Sequence, residues 1–380
     1  MARVLVVTNT PHTPTNSGYA QRVSAVIEAL SAAGHQVKAV SIKSLNSIGH
    51  INFWGRILVL VRLLHTPSLS LLKWYSPRAC DTLATINSRW RPQIVVLESS
   101  YLAPYRVLFH CPVIFDLHNI ESQLIGNYAK NRRGLVALAA RLESRLLSRM
   151  EAAIPRHSDG VATVSDADRE TLQSLMSSPS TEIPMLSVPN GVNDDAFTVA
   201  DSLSEALAPT AVFIGHLGWR PNIDGAKWLA NQVWPLVHAA LPEAKLQLIG
   251  RDPHPSVTEL ANPAARVTVH GNVASVFPFL SEAAVATAPL WTAGGTRLKI
   301  LEALGTGTPV VATSLGALGL ENLAADHVLQ ICDSPRDFAA ALIKYLSAPA
   351  KSVDARNAAE TYRWSNTLKS LVELVNDAVD

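Results

Sequence analysis

Charged residues are scarce in this sequence. Asp, Glu, Lys and Arg make up 17% of the 380 residues, against 48% apolar residues, a composition that favours substantial folded cores over disorder. The 32 Lys and Arg against 31 Asp and Glu leave a net charge of +1. That balance supplies no global drive toward nucleic acid, so any phosphate chemistry must be local. Cysteine is rarer still. Cys80, Cys111 and Cys332 lie far apart with no C-x-x-C pair, which argues against a disulfide framework or a cysteine zinc site and suits a reducing compartment such as the cytoplasm. Long hydrophobic runs are missing too. The longest, Ile57 to Leu64, is interrupted by Arg62, short of the roughly 20 apolar residues of a membrane-spanning helix. The opening Val4-Leu5-Val6-Val7 is too brief for a secretory leader. A soluble or peripheral protein is expected. The first strand is not followed by G-x-G-x-x-G, and neither a P-loop nor H-E-x-x-H occurs. These absences disfavour a nicotinamide dehydrogenase, and no metal site is read from the scattered His and Asp residues.

What is present is an alternation of short β-branched runs and helical patterns, the signature of βαβ units and a parallel sheet. The length corresponds to two domains of ordinary size. In the first half, strands are predicted at Arg3–Thr8, Val37–Ile42, Gln93–Glu98, Val113–Leu117 and Gly160–Ser165. Ser17-Gly18 opens a helix with Val23, Val26, Ile27 and Leu30 at helical spacing, and Gly34 stops it. The pattern lapses from Asn193 to Pro209, then resumes with strands at Ala211–His216, Lys245–Gly250, Val267–His270, Val285–Leu290, Pro309–Thr313 and Val328–Ile331. Among the helices between them is one carrying Trp228, Leu229, Val233, Leu236 and Val237. The reading is an α/β protein: a Rossmann-like domain over 1–195, a linker over 196–209 and a second Rossmann-like domain over 210–360. A final helix over 361–380 is free to pack back on the first domain. Two doubly wound domains are expected to face each other across a cleft, with function in the βα loops there.

The segment richest in chemistry runs from Ala288 through Gly294, Gly295, Thr296, Arg297, Lys299 and Glu302 to Leu304, a strand, a small-residue turn and a helix. Glycines let backbone approach a ligand, Thr296 is placed to cap the helix, and free N–H groups at its start suit an anion. Arg297 and Lys299 put two cations in a first turn where the macrodipole favours acids, a mismatch of about 0.3–1 kcal/mol each that a bound dianion would reverse. Lys299 and Glu302, three apart, share a helical face. This places a phosphate-seeking cation beside a carboxylate able to accept from two neighbouring hydroxyls, which suits a sugar nucleotide. The alternative is a surface ion pair between Arg297 or Lys299 and Glu302 or another acid.

This segment, continued through Gly305-Thr306-Gly307-Thr308-Pro309-Val310-Val311-Ala312-Thr313, resembles the donor-binding signature of GT-B fold glycosyltransferases, and within them the retaining group 1 (family 4-like) enzymes. The Ser17-Gly18 loop, Asp116-Leu117-His118-Asn119-Ile120-Glu121, Thr163-Val164-Ser165, Val188-Pro189-Asn190-Gly191-Val192 and Phe213-Ile214-Gly215 extend the resemblance over essentially the whole chain. It implies a nucleotide-diphosphate sugar donor, a hydroxyl acceptor, hexosyl transfer with retention, and no metal. A role in cell-surface polysaccharide or glycoconjugate synthesis goes with it. It further implies Glu302 on the donor ribose, Gly294, Gly295 and Thr296 against sugar and diphosphate, and His118 on the reacting sugar. The sequence departs from the family at Gly294, where the first of two glutamates separated by seven residues would stand. It departs again after Phe213-Ile214-Gly215, where the usual Arg and Lys are replaced by His216-Leu217-Gly218-Trp219-Arg220. Arg297 and Lys299, assisted by Arg220, then become the diphosphate clamp. The alternatives to transfer are a non-hydrolysing nucleotide-sugar epimerase and a non-catalytic sugar-nucleotide-binding subunit.

Further residues have two readings each. Ser17 and Gly18 at a helix N-terminus offer N–H groups to a donor phosphate or form a plain turn. Glu121 is placed to orient His118. The stretch 51–75, with Phe53, Trp54, Trp74 and many leucines beside Arg56, Arg62 and Lys73, packs in a core or touches a membrane surface peripherally. Arg141, Arg145 and Arg149 share a helical face with Glu143 and Glu151 interleaved, which reads as a solvated, salt-bridged surface.

Overall fold

In strand β1 (Arg3–Thr8) every residue after Arg3 is buried, the mark of a strand covered on both faces. A computed structural model describes residues 1–14, 17–46, 68–130, 132–176, 183–200, 207–291, 296–325 and 327–379. Contacts divide it into two units, Met1–Pro189 with Thr367–Asp380, and Asn190–Asn366.

In the first unit, β1 pairs in parallel with β2 (Gln36–Ser41) and β3 (Ile94–Leu97). β4 (Val113–Leu117), β5 (Gly160–Thr163) and β6 (Met185–Ser187) extend the sheet in the order β2-β1-β3-β4-β5-β6. The chain reverses its direction of travel between β1 and β3, so their carboxyl ends form a topological switch point. The expected strands are present, shifted by one or two residues at their ends. β6, three half-buried residues at the sheet edge, is too short for a periodicity to declare it.

Helix α1 (Gly18–Ala32) starts where Ser17 Oγ accepts from the Ala20 N–H, and Gly34 follows its end with φ +87°. Helix α2 (Glu121–Lys130) lies against α3 (Gly134–Ala153). Buried Glu151 of α3 accepts from the Glu121 and Ser122 N–H groups at 2.7 and 3.2 Å, capping α2 in place of a local residue.

The second unit has the sheet order β12-β11-β10-β7-β8-β9, all parallel. Its strands are β7 (Thr210–Ile214), β8 (Lys245–Gly250), β9 (Val267–Gly271), β10 (Val285–Ala288), β11 (Val310–Ala312) and β12 (Leu329–Ile331). The switch point falls between β7 and β10. The helix expected around Trp228 is not uniform: α4 (Arg220–Trp228) passes through a π-turn at Leu229–Val233 into α5 (Trp234–Ala240). Pro235 has no N–H for the regular ladder and its ring crowds the carbonyl four residues back, which the wider turn accommodates. The binding loop leads into α6 (Leu298–Gly305).

Residues Asp195–Ala200, inside the stretch expected to link the domains, are helical, and 201–206 lie outside the described residues. The tail is two helices rather than one. Trp364–Thr367 belongs largely to the second unit, where Trp364 fills the space above Gly191; a Cβ there would meet its ring at 2.5 Å. Helix α7 (Lys369–Asp377) belongs to the first unit, with Leu374 seated where a Cβ on Gly160 would meet it at 3.0 Å. No helix among the described residues is long and apolar enough to cross a membrane.

Candidate active site

In the first unit, the switch point gathers three titratable side chains at the carboxyl ends of β3 and β4. Glu98 follows β3, Asp116 lies in β4 and His118 follows it. His118 Nε2 is 2.8 Å from Glu98 Oε2 and 3.7 Å from Asp116 Oδ2. Asp116 is fully buried and accepts from Arg22 of α1 through both oxygens, at 2.7 and 2.8 Å, while Arg22 Nη1 donates to the Val188 carbonyl. Burial drives Glu98 well above the usual carboxylate range and the neighbouring Asp116 charge adds to it. Asp116 is also desolvated, but Arg22 outweighs that and holds it below its ordinary value. Burial lowers His118 to about 4. Burial thus favours the neutral forms of Glu98 and His118, while Asp116 keeps its charge against the Arg22 guanidinium, and pairing of the buried charges limits their desolvation cost.

Sequence pattern marks His118 and sets Asp116 in a segment that carries the resemblance, but it marks neither Glu98 nor Arg22. An acid ending a fully buried parallel strand was the available signal for Glu98; for Arg22 it was an arginine adjoining the apolar stripe of α1. Glu121 does not orient His118. Its oxygens instead accept from Tyr101 Oη at 3.0 Å and Asn119 Nδ2 at 3.4 Å. From the start of α1, the Tyr19 ring reaches His118, 4.8 Å from the imidazole centroid to centroid. Gly18 is exposed. Glu98, Asp116 and His118 also present one donor atom each within 4.8 Å of one another. Arg22 bonds both Asp116 oxygens and Glu98 Oε2 is bonded to His118, while Glu98 Oε1 is buried without a hydrogen-bond partner.

In the second unit, Lys299 of α6 lies beneath the switch point. Its Nζ donates to Asn222 Oδ1 at 3.1 Å and sits 4.7 Å from the centre of the buried Phe213 ring of β7. Asn222 Nδ2 in turn donates to the His216 carbonyl. Gly215 leaves this space open: a Cβ would stand 2.7 Å from Asn222 Nδ2 and 3.0 Å from Lys299 Nζ. Desolvation, with Arg297 beside it, lowers Lys299 to about 7, and Glu302 only partly opposes this. Glu302 is buried in α6, 8% exposed.

Thr296 is not the cap of α6. Arg297 holds that position without a side-chain cap bond, and buried Thr296 Oγ1 accepts from Asn190 Nδ2 at 2.8 Å. Trp291, at the other side of the turn, packs edge-on against Trp228 with centroids 5.3 Å apart. Both flanks of Thr292–Gly295 are thus pinned; Gly294 and Gly295 lie outside the described residues. Arg220, at the start of α4, is exposed and pairs with Asp224 at 3.0 Å, an i,i+4 surface pair. Asn190, Phe213 and Asn222 were not singled out in the sequence, although Asn190 and Phe213 stand in segments that carry the resemblance. Of 51–75, residues 51–67 lie outside the described residues; Trp74 stacks on Tyr101 at 6.5 Å.

Residues 17–191 match the family model "Glycosyl transferase 4-like domain" and residues 208–348 match "Glycosyl transferases group 1". The chain is thus a glycosyltransferase of the group 1 type. Among solved structures it resembles sucrose-phosphate synthase from Thermosynechococcus elongatus, with 16% identity, TM-score 0.73 and 99% of each chain covered. It also resembles a UDP-forming α,α-trehalose-phosphate synthase from Burkholderia xenovorans in complex with glucose-6-phosphate, with 13% identity, TM-score 0.67 and 100% of each chain. A third is Anabaena HepE in complex with UDP-glucose, with 13% identity, TM-score 0.64, and 99% of this chain and 100% of that one. At these identities the likeness establishes the GT-B fold. No curated protein sequence matches the chain.

Proposed function

We propose that the chain transfers a hexosyl group from a nucleotide-diphosphate sugar to a hydroxyl of a glycan, lipid-linked or small-molecule acceptor, with retention of configuration and without a metal. Synthesis of cell-surface polysaccharide or glycoconjugate is the setting this chemistry fits. The observation that carries the reading is Lys299, a desolvated cation at the β7/β10 switch point in the first turn of a helix whose start holds no acid. Such a place is unfavourable for a cation and becomes favourable when a dianion is bound. The relatives support uridine as the first base to test, since HepE was solved with UDP-glucose and the Burkholderia synthase is UDP-forming.

In this reading Glu302 accepts from the donor ribose, Lys299 and Arg297 hold the diphosphate, and Gly294, Gly295 and Thr296 line it. Ser17, Gly18 and Arg220 contribute secondary contacts. Breaking the glycosidic bond places negative charge on the departing diphosphate, and preorganised cations and helix N–H groups lower the barrier by meeting that charge as it forms. His118, neutral and held by Glu98, accepts from or donates to a hydroxyl of the reacting sugar. Where related enzymes have the first glutamate, Gly294 offers only backbone.

A thermal-shift panel of UDP, GDP, ADP, dTDP and NAD tests the donor site, since a ligand at 100 times its Kd stabilises by about 2.7 kcal/mol. A shift with one nucleoside diphosphate is expected; a shift with NAD alone overturns the reading. Product analysis with donor alone and with acceptor then separates transfer from epimerisation, which needs no acceptor.

A further inference from the structure

The outer side of α3 has a composition at odds with a soluble surface. Leu135, Leu138 and Leu142 are 84%, 63% and 56% exposed. Arg145 and Arg149 continue the same line at steps of three and four, and Arg141 flanks it; all three arginines are exposed. The opposite side holds the buried residues Ala137, Leu147 and Glu151.

The interleaved acids do not neutralise this face, contrary to the salt-bridged surface expected from the sequence. Glu151 is buried and spent on the cap of α2. Glu143 is half-buried and accepts from Ser68 Oγ and from the Ser70 N–H at 2.8 Å. Among the described residues, no ion pair reaches Arg141, Arg145 or Arg149. The exposed stripe is thus three leucines followed by cations of one sign.

We propose that this stripe of α3 docks on the anionic surface of a lipid bilayer, with Leu135, Leu138 and Leu142 entering the interface and Arg141, Arg145 and Arg149 meeting headgroup phosphates. An amphipathic helix with a basic flank binds in this way, through apolar area and attraction to anionic lipid together. A second copy of the chain fits less well, because it would bring the same arginines with no acid on this face to receive them. A nucleic acid would leave the leucines in water. The inference is independent of the donor reading and stands whether or not sugar is transferred.

The test is co-sedimentation of the full chain with vesicles of phosphatidylcholine, with and without one-third phosphatidylserine. Binding to the anionic vesicles alone is expected, weakened at high salt. The triple variant Arg141→Gln/Arg145→Gln/Arg149→Gln should lower the partition coefficient on the order of 100-fold, about 5-fold per arginine. Leu135→Gln/Leu138→Gln/Leu142→Gln should abolish it with a nearly unchanged melting temperature, since these side chains are exposed and Gln forms helix about as well as Leu. A chain that stays in the supernatant, or one whose binding neither variant alters, overturns the proposal. Leucine-dependent self-association without vesicle binding would give the stripe to a second copy instead.

Discussion

His118 Nε2 stands 2.8 Å from the Oε2 of Glu98, a residue fully buried at the end of the adjacent strand, so the imidazole is aimed by a side chain twenty positions earlier in sequence. Replacing Glu98 should therefore act through His118. Glu98→Ala is expected to lower kcat by on the order of 10- to 100-fold, the cost of a reacting group displaced by about 1 Å. Affinity for the nucleoside diphosphate should be unchanged and KM for the donor little affected. Glu98→Gln, which keeps size and one hydrogen bond, should recover part of the loss. Equal losses of turnover and nucleotide binding would assign Glu98 to folding alone.

Lys299 leads to a protonation prediction. Its value near 7 in the free protein leaves it largely neutral at pH 8, and a bound diphosphate restores its proton by opposing desolvation with charge. Calorimetric titration at pH 8 in buffers of different ionisation enthalpy should show uptake of up to about one proton per nucleoside diphosphate. At pH 6 uptake should nearly vanish. Lys299→Met should remove the pH 8 uptake and weaken binding; an uptake unchanged by the substitution would place the proton elsewhere.

Arg22 and Asp116 form a buried pair that is 1% and 0% exposed. Arg22→Leu should destabilise by about 3–5 kcal/mol, because it leaves a carboxylate and the Val188 carbonyl without their partner. The double variant Arg22→Leu/Asp116→Leu should regain much of that loss, which a double-mutant cycle in urea would quantify. Additive losses would mean the pair is not coupled.

Glu151 gives stability a pH dependence of defined sign. Burial, only partly offset by its hydrogen bonds to Ser122 and Glu121, raises it from 4.5 to about 7. The folded chain thus holds this proton more tightly than the unfolded chain. The contribution is complete below pH 4.5 and is lost as pH rises through 7. Glu151→Gln, neutral at every pH, should gain on the wild type between pH 5 and pH 8.5 by on the order of 2 kcal/mol. Denaturant melts of both proteins at the two pH values measure this, and parallel pH profiles would remove Glu151 as the source.

Local pattern made much of the fold legible. Runs such as Val4-Leu5-Val6-Val7 and Val285-Ala286-Thr287-Ala288 are buried on both faces, and only a parallel sheet covered by helices on both sides asks for such strands. The π-turn before Pro235 was readable in principle, because proline alone breaks the helical ladder. The half-exposed β6 was not, since three residues carry no period. At the candidate site, the strand and the helix carrying Lys299 and Glu302 were legible because they rest on spacing along the chain.

Partners distant in sequence could not be read. That His118 is held by Glu98 rather than Glu121, that Thr296 bonds Asn190 instead of capping α6, and that Gly215 leaves room for Asn222 and Lys299 are outcomes of which strands lie side by side. The same holds for α3, whose charge pattern suggested a neutral salt-bridged face until tertiary contacts drew Glu143 and Glu151 inward and left the leucines and arginines outside. Sequence by itself determined the periodicities, the turns and the chemistry each element carries, because those are set by neighbours along the chain. Tertiary structure decided protonation, orientation and exposure, because these depend on desolvation and on charges brought close from elsewhere in the chain.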